Sequence, residues 1–355
     1  VTITSLLLAA NLGTQLEEKS FITKNICLST GGILVYGPKN LKISYNILKL
    51  PNQFGISVGY NSTTNDGKCA LNDVDISNNT ITDVVNITSI TPAIPLAYIS
   101  VTGVPPTGAA STNSKAPFEY NSLGVSIVKP WDWSHADGTN VTHAVPPLLG
   151  LKISNNICRR TLPNAANYST YGYGTKIYSG SEYNPAITNT SPNFYSRPIS
   201  GINISNGTAL VNSAIQNNII EHTSTGISIP AATRDTFHKN VKVNNNIIFD
   251  SINQGIFLAS SIFNNDIDIS GNTIDADYFR INSNSNTTGS YISDGTPHGI
   301  EIGACKGLTI VNNIIKNVCR AIVSTNPNLN IIRNNVLHSG VPVAIGFNAG
   351  NKGIG

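Results

Sequence analysis

The chain has 355 residues and a formal net charge of +3, and only 12% of its residues are Asp, Glu, Lys or Arg. Such residues usually make up about a quarter of a globular chain, so most of the polarity here comes from Asn, Ser and Thr. The sequence has no run of Lys or Arg that would indicate a nucleic-acid-binding surface, and no apolar run of membrane-spanning length.

Two short phrases alternate along the chain. The first is an apolar strand that runs into an Asn step. Its copies are KISYNIL from Lys42, DISNNTIT from Asp75, KISNNIC from Lys152, AIQNNIIE from Ala214, KVNNNIIF from Lys242, DISGNTID from Asp268, TIVNNIIK from Thr309 and IIRNNVLH from Ile331. The second is a Gly followed by alternating apolar residues, and its copies begin at Gly55, Gly124, Gly201, Gly226, Gly255 and Gly299. Without insertions each phrase recurs about every 22 to 29 residues, which is a solenoid period.

In chain order, we expect a lead-in segment at 1–32, with a short turn of helix around Leu6 to Leu12. A repeat body follows at 33–345, and then a tail at 346–355. The body contains four long insertions, at 83–123, 129–149, 160–200 and 276–298. The start lacks the basic and apolar regions of a signal peptide, and the chain contains no Met, so we expect a processed or partial chain.

The repeats predict an all-β fold, a right-handed parallel β-helix. In the strand Gly299-Ile300-Glu301-Ile302, both Ile side chains can point inward while Glu301 points outward. Strands this closely spaced leave no room for the crossover helices of a doubly wound sheet. Asn suits the bend because it tolerates left-handed backbone angles, and stacked Asn amides can bond along a column. The alternative, a β-sandwich, would not show two phrases in fixed alternation.

The cysteines are five in number: Cys27, Cys69, Cys158, Cys305 and Cys319. Their odd number and their spacing match neither a zinc motif nor a disulfide framework, so we expect buried thiols in the coil interior. The sequence contains no phosphate-binding loop, zinc-protease motif or nucleophile elbow. We therefore expect neither a metal nor a cofactor.

The insertions flank the Gly-containing strand on both sides, so we expect them to wall a groove over one face of the solenoid. They carry several aromatic residues, among them Trp131, Trp133, Tyr171 and Tyr173. Aromatic rings with a polar edge are suited to stack against sugar rings, which predicts a substrate-binding role. The alternative is that these rings pack the insertions onto the coils.

Candidate catalytic groups emerge when the coils are aligned on the Gly of the second phrase. Three carboxylates, Glu221, Asp250 and Asp294, stand five residues before such a Gly, which would place them at one turn position. Neighbouring coils lie about 4.8 Å apart, and carboxylates that close repel, so one should stay protonated near neutral pH. A protonated acid beside an ionised carboxylate can cleave a glycosidic bond. The alternative is that these are solvated turn residues.

Glu301 is a further catalytic candidate, because it projects outward from its strand and His298 stands three residues before it. His222 and Arg234 border the same side of the predicted solenoid. They could bind an acidic sugar, and the His could carry protons. Each of these side chains could equally be an ordinary surface group.

The polar but weakly charged surface, the unpaired cysteines, the missing signal peptide and the long insertions together resemble bacteriophage tailspikes of the pectin-lyase-like β-helix class. The resemblance covers about Ile33 to Ile345. It implies a homotrimer in the virion tail that acts outside the cell at the bacterial surface. Such proteins bind and degrade capsule or O-antigen, commonly as endoglycosidases. A polysaccharide lyase and a non-enzymatic adhesin on the same scaffold are alternatives, and neither nucleic acid nor membrane insertion is implied.

Overall fold

The computed structural model describes residues 6–9, 19–28, 32–36, 40–51, 54–59, 73–84, 97–102, 148–159, 200–204, 210–229, 238–259, 265–276, 298–303, 307–324, 331–339 and 345–347. Every regular element within these ranges is a β-strand. None of them contains a helix that is long and apolar enough to cross a membrane. The helical turn expected around Leu6 to Leu12 is wrong where it can be checked, because β1 (Leu6–Ala9) is a strand.

The chain winds into right-handed coils, numbered 1 to 9, that build three parallel faces. Face 1 opens each coil. Its strands are β2 (Ser20–Thr23), β5 (Leu41–Ser44), β8 (Asp75–Ser77), β12 (Lys152–Ser154), β15 (Leu210–Gln216), β17 (Lys239–Asn244), β19 (Asn265–Ser270), β22 (Leu308–Val311) and β25 (Ile331–Arg333). The two-residue strand β11 (Leu148–Leu149) pairs with the start of β15. All pairings on this face are parallel, as expected for stacked coils.

Face 2 follows face 1 after a bend. It contains β3 (Ile26–Leu28), β6 (Ile47–Lys49), β9 (Thr80–Thr82), β13 (Ile157–Arg159), β20 (Thr273–Asp275), β23 (Ile314–Val318) and β26 (Val336–Ser339). Face 3 closes the coil. It contains β1, β4 (Ile33–Tyr36), β7 (Phe54–Gly59), β10 (Ala97–Thr102), β14 (Ser200–Ile204), β21 (His298–Ile302), β24 (Arg320–Ser324) and β27 (Ile345–Phe347). In coils 5 and 6, single long strands run through both faces, namely β16 (Ile219–Ile229) and β18 (Ile247–Leu258).

The core is a set of apolar columns inside the coils. On face 1, Ile43, Ile76 and Ile153 pair in register and are fully buried. On face 3, Ile256 pairs with Ile300, and both are fully buried. Full burial of one such side chain contributes about 1.5–3 kcal/mol, so the coils hold together by stacking like residues on like residues. The predicted parallel β-helix is confirmed.

The two residues of each Asn step perform different tasks at the corner between faces 1 and 2. The first residue takes the left-handed conformation, with φ of 57° at Asn217 and 56° at Asn245. Asn adopts this conformation more readily than most residues, and Gly271, with φ of 67°, does so in coil 7. The second residue, such as Asn218, is fully buried. The left-handed residue turns the chain, and the buried residue joins the coils.

The buried residues form a continuous ladder of amides. Its members are Asn25, Asn46, Asn79, Asn156, Asn218, Asn246, Asn272, Asn313 and Asn335. At each step the main-chain N–H and the side-chain Nδ2 both donate to Oδ1 of the Asn in the next coil, at 2.9–3.0 Å for Asn218 and Asn246. Nδ2 of Asn218 also donates to the carbonyl of Ile153 in the previous coil. The predicted bonding along the Asn column is confirmed.

A column of glycines on face 3 is required by close approach. A Cβ atom at Gly226 would collide with Cγ2 of Ile248 and with the main-chain oxygen of Gly255. The same collision recurs at Gly55, Gly201, Gly255 and Gly299 with the inward Ile of the following coil. The glycines of the second phrase therefore let the Ile column of face 2 reach the middle of the coil.

Coil 3 departs from this pattern in its face-3 strand; Gly124, where the sequence places a copy of the second phrase, lies outside the described residues. Strand β10 is the face-3 strand of this coil, because it pairs with both β7 and β14. At the level of the glycines it carries Tyr98, which is fully buried. In the following coil, Cys158 occupies the register position that Ile81 and Ile220 occupy in the two adjacent coils. The shorter side chain leaves room for the ring.

Two further predictions can be compared with the structure. Cys27, Cys158 and Cys319 are free and buried, as predicted, and burial raises the pKa of each thiol; Cys69 and Cys305 lie outside the described residues. Strands β2 and β3 already pair with the strands of coil 2, so the stacked coils begin before the predicted boundary at residue 33.

The Asn ladder makes a testable prediction about coil 5. Replacing Asn218 by Ala removes the acceptor of two hydrogen bonds from Asn156 and two donated by Nδ2 of Asn218, all buried. Because an orphaned buried group costs about 1–3 kcal/mol, Asn218→Ala should lower the free energy of unfolding by about 3 kcal/mol or more. Asn217→Gly is the matched control and should be nearly neutral. Urea unfolding followed by circular dichroism checks both; equal losses would contradict the division of tasks.

Candidate functional site

The long chain segments leave the coils along the two edges of face 3. Segments 85–96, 160–199 and 277–297 lie between a face-2 strand and a face-3 strand, whereas 60–72 and 103–147 lie between face 3 and the next face 1. The outer side of face 3 is thus the surface that the longest segments border. Among the described residues, the polar side chains of this surface and of its corner with face 2 are the candidate site.

Several predicted site residues lie outside the described residues and stay predictions. They are Asp294, Trp131, Trp133, Arg234, Tyr171 and Tyr173. The structure describes Glu221, His222 and Asp250 at the corner between faces 2 and 3, hereafter the 2–3 corner. It also describes His298 and Glu301 on face 3.

The prediction that Glu221 and Asp250 occupy one turn position is wrong by one residue. In the pairing of β16 with β18, Glu221 lies opposite Phe249 and Thr223 lies opposite Ser251. The register then shifts, so that Thr225 lies opposite Gln254. Because β18 contains one extra residue before its Gly, counting back from the two glycines misaligns the corner.

Asp250 instead pairs with His222. Nδ1 of His222 lies 2.8 Å from Oδ2 of Asp250, and each side chain is only 7% exposed. Both residues turn the chain at the 2–3 corner in the left-handed conformation, with φ of 60° and 57°. Asp and His adopt this conformation more often than most residues do. The carboxylate fixes the orientation of the imidazole, an arrangement that suits proton transfer or simple bracing of the corner.

Glu221 precedes this pair on the outer side of face 2 and is only partly exposed. Burial raises the pKa of Glu221, the positive charge of Arg159 in the preceding coil opposes the rise, and the negative charge of Asp250 adds to it. Its main-chain carbonyl accepts a 3.3 Å hydrogen bond from Tyr98 Oη. Glu221 therefore keeps its proton to higher pH than an ordinary Glu, as a general acid must.

The pKa of Glu301 is shifted in the opposite direction, downward. Oε2 of Glu301 lies 2.8 Å from Nδ1 of His298 and accepts a 3.0 Å hydrogen bond from Nε2 of Gln254. The hydrogen bond with His298 is the main reason that the pKa of Glu301 is lowered; burial opposes this, and Gln254 and the charge of Arg320 assist. Glu301 is therefore an ionised carboxylate held in place by its neighbours.

Sequence reasoning missed Gln254 and Thr225. Oγ1 of Thr225 donates to Oε1 of Gln254 at 2.8 Å, and Gln254 pairs in register with His298. We call Thr225, Gln254, His298 and Glu301 the face-3 cluster. The first three stand directly before the Gly of their coils, so aligning that position would have found them.

The structure places the corner residues and the face-3 cluster on adjoining parts of coils 5 to 7. Glu221 lies on face 2 in coil 5 and Glu301 on face 3 in coil 7, so the two do not form a close carboxylate pair. Within the described ranges, no three His, Cys, Asp or Glu side chains are grouped to hold a metal ion. The chemistry available here is that of one carboxyl with a raised pKa, one carboxyl with a lowered pKa and two imidazoles.

Comparison with known proteins adds no name to this arrangement. No protein-family model, no curated protein and no solved structure matches the chain.

The contributions of Glu301 and Glu221 to the stability of the fold should depend on pH in opposite ways. The lowered pKa of Glu301 stabilises the folded state above the unfolded-state pKa, and this stabilisation is lost as the pH falls through the folded-state pKa. Glu301→Gln should therefore cost more stability at pH 7 than at pH 3. The raised pKa of Glu221 contributes stability at low pH that is lost as the pH rises. The difference in stability between Glu221→Gln and the unmodified protein should therefore shift in favour of the variant as the pH rises from 3 to 7.

Chemical denaturation of the two variants and the unmodified protein across this pH range measures both effects. Lys152→Ala, an exposed change on face 1, is the control and should track the unmodified protein. Slopes of the same sign for the two Gln variants would contradict the opposite pKa shifts.

Proposed function

We propose that this β-helix binds a polysaccharide on the outer side of face 3 and hydrolyses its glycosidic bonds at the 2–3 corner. The observation that carries the proposal is the pair of partly buried carboxyls whose pKa values are displaced in opposite directions, up at Glu221 and down at Glu301. Glycosidases need such a division, because one carboxyl must donate a proton while a second group is already ionised.

In this proposal Glu221 is the general acid. It protonates the glycosidic oxygen as the bond to the anomeric carbon breaks, and its raised pKa keeps the proton available to higher pH than at an ordinary Glu. The positive charge of Arg159, in the preceding coil, acts on Glu221 and favours its ionised form. After proton transfer, Arg159 would stabilise the carboxylate that remains.

The face-3 cluster supplies the negative charge and the proton acceptor. Glu301 lies two coils from Glu221, which is about 9.6 Å along the solenoid axis, and it also lies further along its coil, because it pairs with Phe257 and hence with Ser228, seven residues after Glu221. A double displacement needs carboxyls about 5–5.5 Å apart, whereas an inverting reaction uses a wider gap that admits a water molecule. The proposed reaction is therefore an inverting hydrolysis, in which water attacks the anomeric carbon and the cluster takes its proton.

We further propose the setting that the tailspike resemblance implies: a homotrimer in a phage virion tail that degrades the capsule or O-antigen of its host. The weakly charged, amide- and hydroxyl-rich sequence supports a neutral or mildly acidic glycan as ligand. Rigid coils that carry long inserted segments support a binding surface for a long polymer. The proposed site of action is the bacterial surface.

An exposed apolar column supports association with further copies of this chain. On the outer side of face 2, one side chain from each coil lines up in register: Ile26, Ile47, Thr80, Ile157, Ile219, Ile247, Thr273, Ile314 and Val336. Five of these, from coils 1, 2, 6, 8 and 9, are between 41% and 63% exposed. Long exposed apolar stripes mark interaction surfaces. A second copy fits this one, because it offers the same straight column of about 38 Å with the same 4.8 Å repeat.

Hydrolysis is tested on lawns of encapsulated bacteria and on their purified polysaccharides. We expect clearing zones, and fragments whose mass includes one added water per cleavage. Glu221→Gln should lower turnover by about 10²- to 10⁴-fold, the usual contribution of a general acid. Lys152→Ala on face 1 should keep full turnover.

Three outcomes would overturn parts of the proposal. Unsaturated fragments without added water would replace hydrolysis by a lyase reaction. A glycan that is bound but never shortened would make the protein an adhesin. Full activity of both Glu221→Gln and Glu301→Gln would remove these residues from the reaction.

Association is tested by light scattering coupled to size-exclusion chromatography. The unmodified protein should have the mass of three chains, and Ile47→Asp combined with Ile247→Asp should reduce it to one, because charge in a desolvated contact is costly. Phe21→Asp is the matched control: Phe21 is 61% exposed, but on face 1. A single-chain mass for the unmodified protein would contradict the trimer, and equal effects of the variants would contradict the choice of face.

A further inference from the structure

A chain of hydrogen bonds crosses coils 5, 6 and 7 on face 3. Oγ1 of Thr225 donates to Oε1 of Gln254 at 2.8 Å, and Nε2 of Gln254 donates to Oε2 of Glu301 at 3.0 Å. The same Oε2 lies 2.8 Å from Nδ1 of His298. The hydroxyl of Thr225 thus fixes which end of the Gln254 amide faces Glu301, because an amide nitrogen cannot accept that bond.

This chain determines the tautomer of His298. An ionised carboxylate has no proton to give, and the lowered pKa of Glu301 keeps it ionised near neutral pH. The proton between the two side chains must therefore lie on Nδ1 of His298. In the neutral ring, Nε2 is then left with a free lone pair, as in other carboxylate–imidazole pairs in which the carboxylate orients the ring.

Nε2 of His298 has no partner within the part of the chain that the structure describes, although it is buried and the whole residue is only 8% exposed. Leaving such an atom unsatisfied costs about 1–3 kcal/mol, and folded proteins rarely retain one without a reason. Because Nδ1 is anchored, the ring cannot turn to relieve Nε2.

Two more buried polar atoms on coils 5 and 6 have no partner among the described residues. They are the hydroxyl oxygens of Thr223 and Ser251, which face each other in register two or three residues before Thr225 and Gln254. Three of the eight such atoms in the described residues thus gather where the 2–3 corner meets face 3 in coils 5 to 7. Such a gathering indicates that a polar ligand belongs there.

We propose that Nε2 of His298 accepts a hydrogen bond from a hydroxyl group, supplied either by a sugar unit or by a bound water molecule. Thr225, Gln254 and Glu301 are positioning residues that hold the imidazole for this contact. The inference rests on the proposed function only for its catalytic consequence. In the inverting reaction, the attacking water forms its bond to the anomeric carbon, its proton passes to Nε2, and Glu221 protonates the leaving oxygen.

The tautomer is tested by nitrogen NMR of the intact protein with ¹⁵N-labelled histidine. The chain has six His residues, and His298→Gln assigns the relevant signals. We expect a protonated Nδ1 and a bare Nε2 in the neutral imidazole. Gln254→Leu and Thr225→Val should both weaken this preference, and Lys152→Ala should not. A protonated Nε2 with a bare Nδ1 would overturn the inference.

The source of the hydroxyl is tested by the shift of Nε2 with and without sugar. A hydrogen-bonded shift in buffer alone indicates water; a shift that changes when glucose, galactose or N-acetylglucosamine is added indicates a sugar hydroxyl. A shift typical of a nitrogen without any hydrogen bond, under every condition, would overturn the proposal.

Activity supplies a separate readout. If the protein cleaves a glycan, Gln254→Leu should lower kcat by about 10- to 100-fold, the usual effect of losing a residue that orients a functional side chain, and leave KM nearly unchanged. An unchanged kcat would remove the positioning role. If no glycan is cleaved but Nε2 is hydrogen bonded, the proposed function fails while the binding inference stands.

Discussion

The whole structure depends on the buried amide ladder at the corner between faces 1 and 2. Each amide bonds to the coil above and to the coil below, so it sets both the rise between coils and their rotational alignment. Asn156, Asn218 and Asn246, for example, are linked without a gap although insertions of very different length separate them in sequence. A side chain one methylene longer or shorter could not span the same 4.8 Å repeat with both bonds intact. The Asn ladder therefore sets the register of the stacked columns on all three faces.

A second constraint is the volume available inside the coil. The Ile column of face 2 and the chain of face 3 compete for the same space, and glycine resolves the competition in most coils. Coil 3 resolves it in the opposite sense, with a large Tyr98 on face 3 and a small Cys158 in the face-2 column of the following coil. The larger side chain on one face is accompanied by a smaller one on the other, as close packing of an interior requires. Tyr98 also donates a hydrogen bond to the main-chain carbonyl of Glu221 in coil 5. The same buried ring therefore supports the backbone of the candidate site.

The fold could be predicted from sequence because both constraints leave periodic marks, the Asn step and the Gly. The site was predicted only in part. Glu301 and His298 were both predicted as site residues, but their contact does not follow from their spacing, because residues three apart on a regular strand point to opposite sides and lie about 10 Å apart. The pairing of His222 with Asp250 was missed, because counting back from the glycines crosses the extra residue of β18. Counting forward from the ladder residues aligns the pair correctly, since His222 stands four positions after Asn218 and Asp250 stands four positions after Asn246. Counting residues along a repeat therefore locates equivalent positions only up to the next inserted residue.

Coils 5 and 6 differ from their neighbours in passing the 2–3 corner without interruption, and the candidate site lies there. On their outer side, Ile219 and Glu221 belong to the same strand, two residues apart, so the apolar column and the proposed acid are adjacent rows of one surface. A second copy seated on the column would remove water from beside Glu221. Because burial is already the largest cause of its raised pKa, that contact would hold the proton more firmly still. Assembly and acidity would then be linked by a single physical effect, the desolvation of one carboxyl.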